Sequence, residues 1–463
     1  MFDFFSTGIE EKQAIAIIPI FTKEFNSWLL QQDEVTKNWL TVNNFTAKSG
    51  SVCILPDAYG RVRLVFLGIA DSNDLWAFGA LASKLPIGIY QIKGNFNVEQ
   101  LQRALIAWGL GAYKFSAYIN KPGDLVKAKI LIPESCNKLY IESIVEAVFL
   151  ARDLINYPTE NKSPELLGLR VESLAAKFNA KVHQVVGDEL LEKGFNAIHA
   201  VGRGSSNKPR LIDLRWGNPN NPKITLVGKG VCFDSGGLNL KSSSEMLTMK
   251  KDMAGAAHVL ALASMAMAVK LPISLRVLIP AVENMPSGSS YKPGDILKTY
   301  KGISVEVGNT DAEGRLILAD ALTLACEESP ELLIDFASLT GASRVALGTD
   351  IAAVFTNKDD LVKEIMDMSV LEQDPMWQLP VFEPYKEMLD SDIADICNVG
   401  KIPYGGAITA AIFLQEFITR ETPWVHFDIM AFNLAAKPGR PKGGDVQGLR
   451  ALFAYLCQKY IPK

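Results

Sequence analysis

The sequence predicts an α/β protein of two domains, a smaller N-terminal α/β domain over residues 1–155 and a larger C-terminal three-layer α/β/α domain over residues 156–463. Three observations carry this expectation. At 463 residues the chain is too long for one compact core. Short runs rich in Val, Ile and aromatic residues alternate with helical patterns through both halves. Between the halves, "KLYIESIVEAVFLARDLINYPTEN" repeats its apolar residues at helical spacing and meets a stop at Asn156 and Pro158.

In the first half, "QAIAIIPIF", "SVCILP", "RVRLVFLGIA", "GIYQIKG" and "AKILIP" read as strands, and "VEQLQRALIAWGLGAYKF" as a helix between the last two. Strands alternating with helices predict a mainly parallel or mixed sheet. The second half opens with a helix around Pro164–Phe178. Strands follow in "RLIDLRW", "KITLVGKG", "ISLRVLIPAV", "LLIDFASL", "IAAVFTN" and "WVHFDIM", with helices such as "RLILADALTLACEE" and "GAITAAIFLQEFITR" between them. "MAGAAHVLALASMAMAV" imitates a membrane span, but it is barely long enough and carries His258; a buried helix is the expectation.

Composition narrows the function classes. Hydrophobic content of 48% and charged content of 21% mark a globular chain. A net charge of −4 gives no electrostatic reason for generic nucleic-acid binding. Six cysteines, Cys53, Cys136, Cys232, Cys326, Cys397 and Cys457, form no C-x-x-C pair, and "MFDFFSTGIEEKQ" lacks a basic, cleavable leader. Reduced thiols and a cytoplasmic location are expected. There is no Walker loop, no H-E-x-x-H and no G-x-S-x-G elbow. His258 reads as a satisfied core residue and Cys232 as a packed strand residue.

Polar residues gather where strands of the second half end, which is where open α/β sheets bind ligands. "LVGKGVCFDSGGLNLK" brings Lys229, Asp234 and Lys241; "MKKDMAGAAH" brings Asp252; "NTDAEGRL" brings Asp311, Glu313 and Arg315. In an extended segment these last three would point to one side. Gly236 and Gly237 allow positive φ or close backbone approach. Four acids on three segments would repel one another if gathered and desolvated, and two divalent cations about 3.5–4 Å apart would resolve that conflict. A buried lysine can lose its proton and donate a lone pair. From spacing alone, acids that cap helices and pair with Lys229, Lys241, Lys251 and Arg315 are the favoured reading, since structural ion-pair networks look similar.

"VGKGVCFDSGG", "MKKDMAGAAH" and "NTDAEGRL", in that order and spacing, resemble the signature segments of the leucyl aminopeptidase family, the two-metal cytosol-aminopeptidase type. The close resemblance covers roughly residues 155–463; the first half is similar to the family's N-terminal domain only in general plan and looks short. The resemblance implies a catalytic second domain and an exopeptidase that removes N-terminal residues, leucine and other apolar ones preferred, by a metal-bridging water. It implies two divalent ions, Mn2+ or Zn2+, with Co2+ also suiting mixed oxygen and nitrogen ligands. Lys229 would ligate one metal as a neutral amine and Asp252 would complete that site. Asp234 and Glu313 would bridge both metals. Asp311 would bind the other through its carboxylate and its backbone carbonyl. Lys241 would polarise the scissile carbonyl and stabilise the gem-diolate. Arg315 would hold a bicarbonate ion as general base. Peptide substrates and a homohexamer are implied, with no membrane or nucleic-acid partner. Where the family often reads D-I-A-G, this chain has Met430 and Ala431 in the last two places. Met249 and the loop Ser338–Ala342 fall where the family builds its side-chain pocket, which puts leucine selectivity in question. A nucleic-acid-binding regulator and a catalytically inactive scaffold are the rival classes, and a metal-dependent anilide assay separates them from the enzyme.

Overall fold

The computed structural model describes residues 3–7, 14–120 and 128–462. The chain forms two compact units. The first comprises Met1–Phe149 with Asn433–Lys442, the second Leu150–Phe432 with Gly443–Lys463. Part of the N-terminal stretch read for a leader, residues 1–2 and 8–13, lies outside the described residues.

The first unit is a six-stranded sheet of β1 (Phe5–Ser6), β2 (Ile15–Phe21), β3 (Val52–Pro56), β4 (Val62–Ile69), β5 (Gly88–Ile92) and β6 (Ala128–Leu131), in the order β1-β6-β5-β2-β4-β3. Only β3 runs antiparallel to its neighbour. The five expected strands are present, and β1 is added in parallel beside β6. The expected helix spans Val98–Gly111, opened by a capping box in which Asn97 and Gln100 satisfy each other's backbone N–H groups. It stops short of "AYKF" and crosses the helix Leu75–Gly79 closely, since a Cβ on Gly111 would lie 1.8 Å from the Gly79 carbonyl oxygen. Phe25, Phe45, Leu55 and Phe66 fill the core on one face of this sheet.

The second unit is a nine-stranded mixed sheet. Its strands are β7 (Lys181–Val186), β8 (Arg210–Gly217), β9 (Lys223–Gly228), β10 (Gly230–Asp234), β11 (Ser274–Asn284) and, after a small sheet made with β12 (Ile296–Lys298) and β13 (Ser304–Glu306), β14 (Leu332–Ala337), β15 (Ala352–Thr356) and β16 (Met376–Gln378). Strand β17 (Ile396–Cys397) completes the small sheet, and β18 (Trp424–Asp428) lies between β14 and β15. The main order is β16-β15-β18-β14-β9-β11-β8-β7, with β10 paired beside β11. β18, β14, β9 and β11 are parallel neighbours, so their carboxyl ends open on one side.

Helices cover both faces. Ala254–Ala268 packs on β9 and β14 with the helices Pro164–Phe178 and Leu449–Tyr460 beside it. Glu313–Cys326 packs on the same central strands beside Asn196–Gly202 and Gly406–Gln415. This is the expected three-layer arrangement. The segment that imitated a membrane span is that 15-residue helix, buried over all but its last residue, and among the described residues no helix is long and apolar enough to cross a membrane. His258, fully buried, shares a hydrogen with the Ala254 carbonyl through Nδ1 at 2.7 Å and accepts from the Gln447 N–H at Nε2. Burial holds its pKa down at about 4, so it is a neutral core residue. Cys232 is likewise packed, and burial pushes its thiol up to about 12.

Candidate metal centre

Each acidic residue is delivered by a strand or helix end. Lys229 follows β9, where its backbone N–H bonds to the Phe336 carbonyl before the chain continues into β10. Asp234 is the last residue of β10. The chain then turns through Gly236 (φ 86°) and Gly237 (φ 65°), a backbone that L side chains rarely adopt. Asp252 follows the turn Met249–Lys251. Asp311 precedes, and Glu313 begins, the helix Glu313–Cys326. A carboxylate in a first helical turn faces the positive end of the helix dipole.

These segments converge. Ligand oxygens of Asp234, Asp252 and Glu313, all buried, lie within 4.8 Å of one another. Lys229 Nζ stands 2.9 Å from Asp252 Oδ2 and 2.8 Å from Glu313 Oε1, and donates to the Ser338 carbonyl at 3.0 Å. Lys241 Nζ stands 3.0 Å from Asp234 Oδ2 and 2.5 Å from Asp311 Oδ1. Each lysine therefore spans two carboxylates. Burial opposes the charge on Lys229, but Asp252, Glu313 and Asp234 outweigh it and raise the pKa. The ligand role expected of Lys229 requires those carboxylate charges to be met by other cations. Burial and the charge of Asp234 push both Glu313 and Asp311 upward, whereas Lys229 and Lys251 outweigh burial at Asp252 and hold it down.

The donor set fits divalent metal. Asp252 Oδ2, Asp311 Oδ1 and Glu313 Oε1 are sealed from solvent and accept no hydrogen bond. They face amines at ion-pair distance without the angle of a bond. The other oxygens are held in place: Asp234 Oδ1 accepts from the Gly236 N–H and Asn284 Nδ2, each at 2.9 Å, and Asp252 Oδ1 from the Ser338 hydroxyl at 2.7 Å. Carboxylates oriented on one side and unsatisfied on the other are what a cation site requires.

The extended-segment reading of "NTDAEGR" fails after Asp311, because the helix starts at Glu313. Arg315 does not share a side with the two acids. Its Nη1 donates to the Asn398 carbonyl at 2.8 Å, its guanidinium lies 6.0 Å from the Phe413 ring centre, and its buried Nε has no partner. Among the described residues no carboxylate lies within ion-pair distance of it, so it does not neutralise its sequence neighbours. Burial lowers its pKa to about 10 despite the pull of Glu313.

Gly314 makes room for a side chain: a Cβ there would lie 2.6 Å from Lys229 Cε and 2.7 Å from its Nζ. Gly314→Ala gains about 1 kcal/mol of helix propensity but forces overpacking that costs about 1–3 kcal/mol. The expected outcome is a net loss of stability, seen by thermal melting, and at least about a tenfold drop in metal affinity, because the displaced amine pulls at Asp252 and Glu313.

Sequence reading missed the supports. Asn284 holds Asp234, Ser338 holds Asp252, and Thr310 is tied to Gly236 and Asn239. Asp428 receives the N–H groups of Leu339 and Thr340 and the hydroxyls of Thr340 and Ser343, fixing the loop after β14. Asn284 and Asp428 are each the last residue of a central strand, which was the available signal.

Comparison with known proteins places the chain in a family. Residues 149–453 match the model of the cytosol aminopeptidase family, catalytic domain, and residues 15–133 match that of the M17 aminopeptidase N-terminal domain. The first half is thus similar to the family's own N-terminal domain in sequence as well as in plan. A probable cytosol aminopeptidase of Syntrophotalea carbinolica is 42% identical over 82% of this chain and 78% of its own length. One from a Geobacter species is 40% identical over 90% of each. The crystal structure of a cytosol aminopeptidase from Coxiella burnetii superposes with a TM-score of 0.95 at 45% identity, covering 99% of this chain and 100% of that one. The bottromycin maturation enzyme BotP, in complex with Mn, superposes at 0.87 and 30% identity, covering 97% and 100%. With its fold, its converging carboxylates and both halves matched, this chain belongs to the cytosol aminopeptidase family, hydrolases that act on peptides from the N-terminus with the help of metal.

Proposed function

We propose that this chain is a two-metal aminopeptidase that releases apolar N-terminal residues, leucine among them, from peptides. The observation that carries the reading is the buried group of Asp234, Asp252 and Glu313, with Asp311 tied to it through Lys241, in which Asp252 Oδ2, Asp311 Oδ1 and Glu313 Oε1 accept no hydrogen bond. In this reading Asp234, Glu313, Lys229, Asp252 and Asp311 would hold two ions, with Asp234 and Glu313 serving both, Lys229 and Asp252 one, and Asp311 the other. Bound there, divalent metal would supply Lewis acidity toward the scissile carbonyl and a water acidic enough to attack near neutral pH. Mn2+ is supported by the Mn complex of BotP, and Zn2+ suits the same donors. Lys241, anchored on Asp234 and Asp311, offers its positive charge where the carbonyl oxygen becomes negative. Met249 and Met430, both buried beside the cluster's loops, favour an apolar side chain. The relatives' name supports a cytoplasmic location, and family membership a homohexamer. A metal-dependent assay on leucyl p-nitroanilide tests the reading; no hydrolysis after loading with Mn2+ or Zn2+ would defeat it.

Arg315 would hold a carbonate-type anion, which when bound would supply a general base for the attacking water. Its unpartnered Nε and the lack of a carboxylate partner support this, since a planar guanidinium fork suits such an anion. Activity in bicarbonate-free buffer is expected to rise on adding bicarbonate. Arg315→Ala should remove that response with metal content intact, and Arg315→Lys should restore little. Loss of metal or of folding in Arg315→Ala, with a wild type indifferent to bicarbonate, would make Arg315 structural.

A further inference from the structure

Two cationic side chains beside the carboxylate cluster have no part in the chemistry above. Lys251 ends the turn Met249–Lys251 and directly precedes Asp252. It keeps 3% of its surface, yet among the described residues its amine has no hydrogen bond and no carboxylate at ion-pair distance. The charged groups that act on it are Asp252, Arg344, Lys229 and Asp428. Neither acid is free to pair. Asp252 is taken by Ser338 and Lys229. Asp428 already accepts four hydrogen bonds, two at each oxygen. Arg344, half-buried on the helix Gly341–Leu347, touches Met430 Sδ through Nη1 at 3.4 Å; among the described residues it has no carboxylate at ion-pair distance, though its charge reaches the exposed Glu245.

A buried ammonium without a counterion costs several kcal/mol, and a neighbouring guanidinium adds to the cost. An anionic ligand would satisfy both. The location says which part of a substrate could bring it. An aminopeptidase must place the α-amine and the scissile carbonyl of the N-terminal residue at the metal cluster. The Cα between them would then lie near Asp252, and its side chain would leave toward the residues that precede Asp252. Met249 and Met430 can pack against two methylenes, and Arg344 stands against Met430. We propose that Lys251 and Arg344 form a carboxylate-recognising subsite for the substrate's N-terminal side chain, so that glutamate is accepted alongside apolar residues. The proposal rests on the aminopeptidase reading above.

The same chemistry could be met by the C-terminal carboxylate of a dipeptide, and the test separates the two sources. The full chain loaded with Mn2+ is assayed on glutamyl, glutaminyl and leucyl p-nitroanilides, none of which has a free C-terminal carboxylate. Glutamyl and glutaminyl substrates are nearly isosteric and differ in charge. The expected kcat/KM ratio of glutamyl to glutaminyl is at least about tenfold. It should fall to near one in Lys251→Met, fall partly in Arg344→Gln, and largely survive in Lys251→Arg. Arg344 is half-buried on a short helix, so its variant keeps the test open if Lys251→Met fails to fold. A wild-type ratio near one overturns the subsite. If that ratio is one while Leu-Gly is preferred over Leu-Gly amide, the pair reads a C-terminal carboxylate and the side-chain assignment is wrong. Leucyl anilide left uncleaved would instead defeat the aminopeptidase reading, and the subsite with it.

Discussion

Asp234→Asn is expected to lower kcat/KM by at least about a thousandfold, or about 4 kcal/mol of transition-state stabilisation, and to leave the protein folded with metal content well below that of the wild type. The side chain is nearly isosteric, and the contact from Asn284 to Oδ1 can persist. What is lost is the negative charge that faces Lys241 and the centre of the cluster. An amide cannot be shared between two cations as a carboxylate can. Metal analysis and thermal melting separate this outcome from simple unfolding. If Asp234→Asn keeps full metal content and activity, Asp234 is a support for Lys241 and the shared-ligand role is wrong.

Much of this was legible from the residues. The central strands were marked by short Val- and Ile-rich runs. Asp234, Asp252 and Glu313 stood out by their place at strand and helix ends, although spacing alone did not separate metal ligands from helix caps and ion pairs. What was not legible required the fold. Asn284 and Ser338 look like ordinary strand-end residues until the sheet order sets β10 beside β11 and Ser338 beside Asp252. The placement of Arg315 was misread because periodicity was carried through a helix start that has no side-chain cap; Ala312 occupies the N-cap position. Gly314 clears space for the Lys229 side chain, a neighbour that no local pattern reveals. The return of Asn433–Lys442 to the first unit leaves no pattern in sequence, because it depends on long-range packing.

Lys241→Ala is the second large effect. The expected result is a fall in kcat of about a hundred- to a thousandfold with KM changed little, because in the proposed role the amine would act on charge that develops only in the transition state. Asp234 and Asp311 hold that amine at 3.0 and 2.5 Å, so it is positioned before substrate arrives. Lys241→Arg should recover little, since the larger planar group cannot take the same place between two carboxylates. Steady-state kinetics on leucyl p-nitroanilide decide: a rise in KM alone would make Lys241 a substrate clamp.

The central claim is that four carboxylates and one lysine, brought together from separate segments, hold two ions in common. Crystals soaked in Mn2+ and measured for anomalous scattering test it directly. The account predicts two peaks per chain, less than about 5 Å apart, both in contact with Asp234 and Glu313, one also with Lys229 and Asp252 and the other with Asp311. A single peak, or two peaks further apart that share no carboxylate, would contradict it.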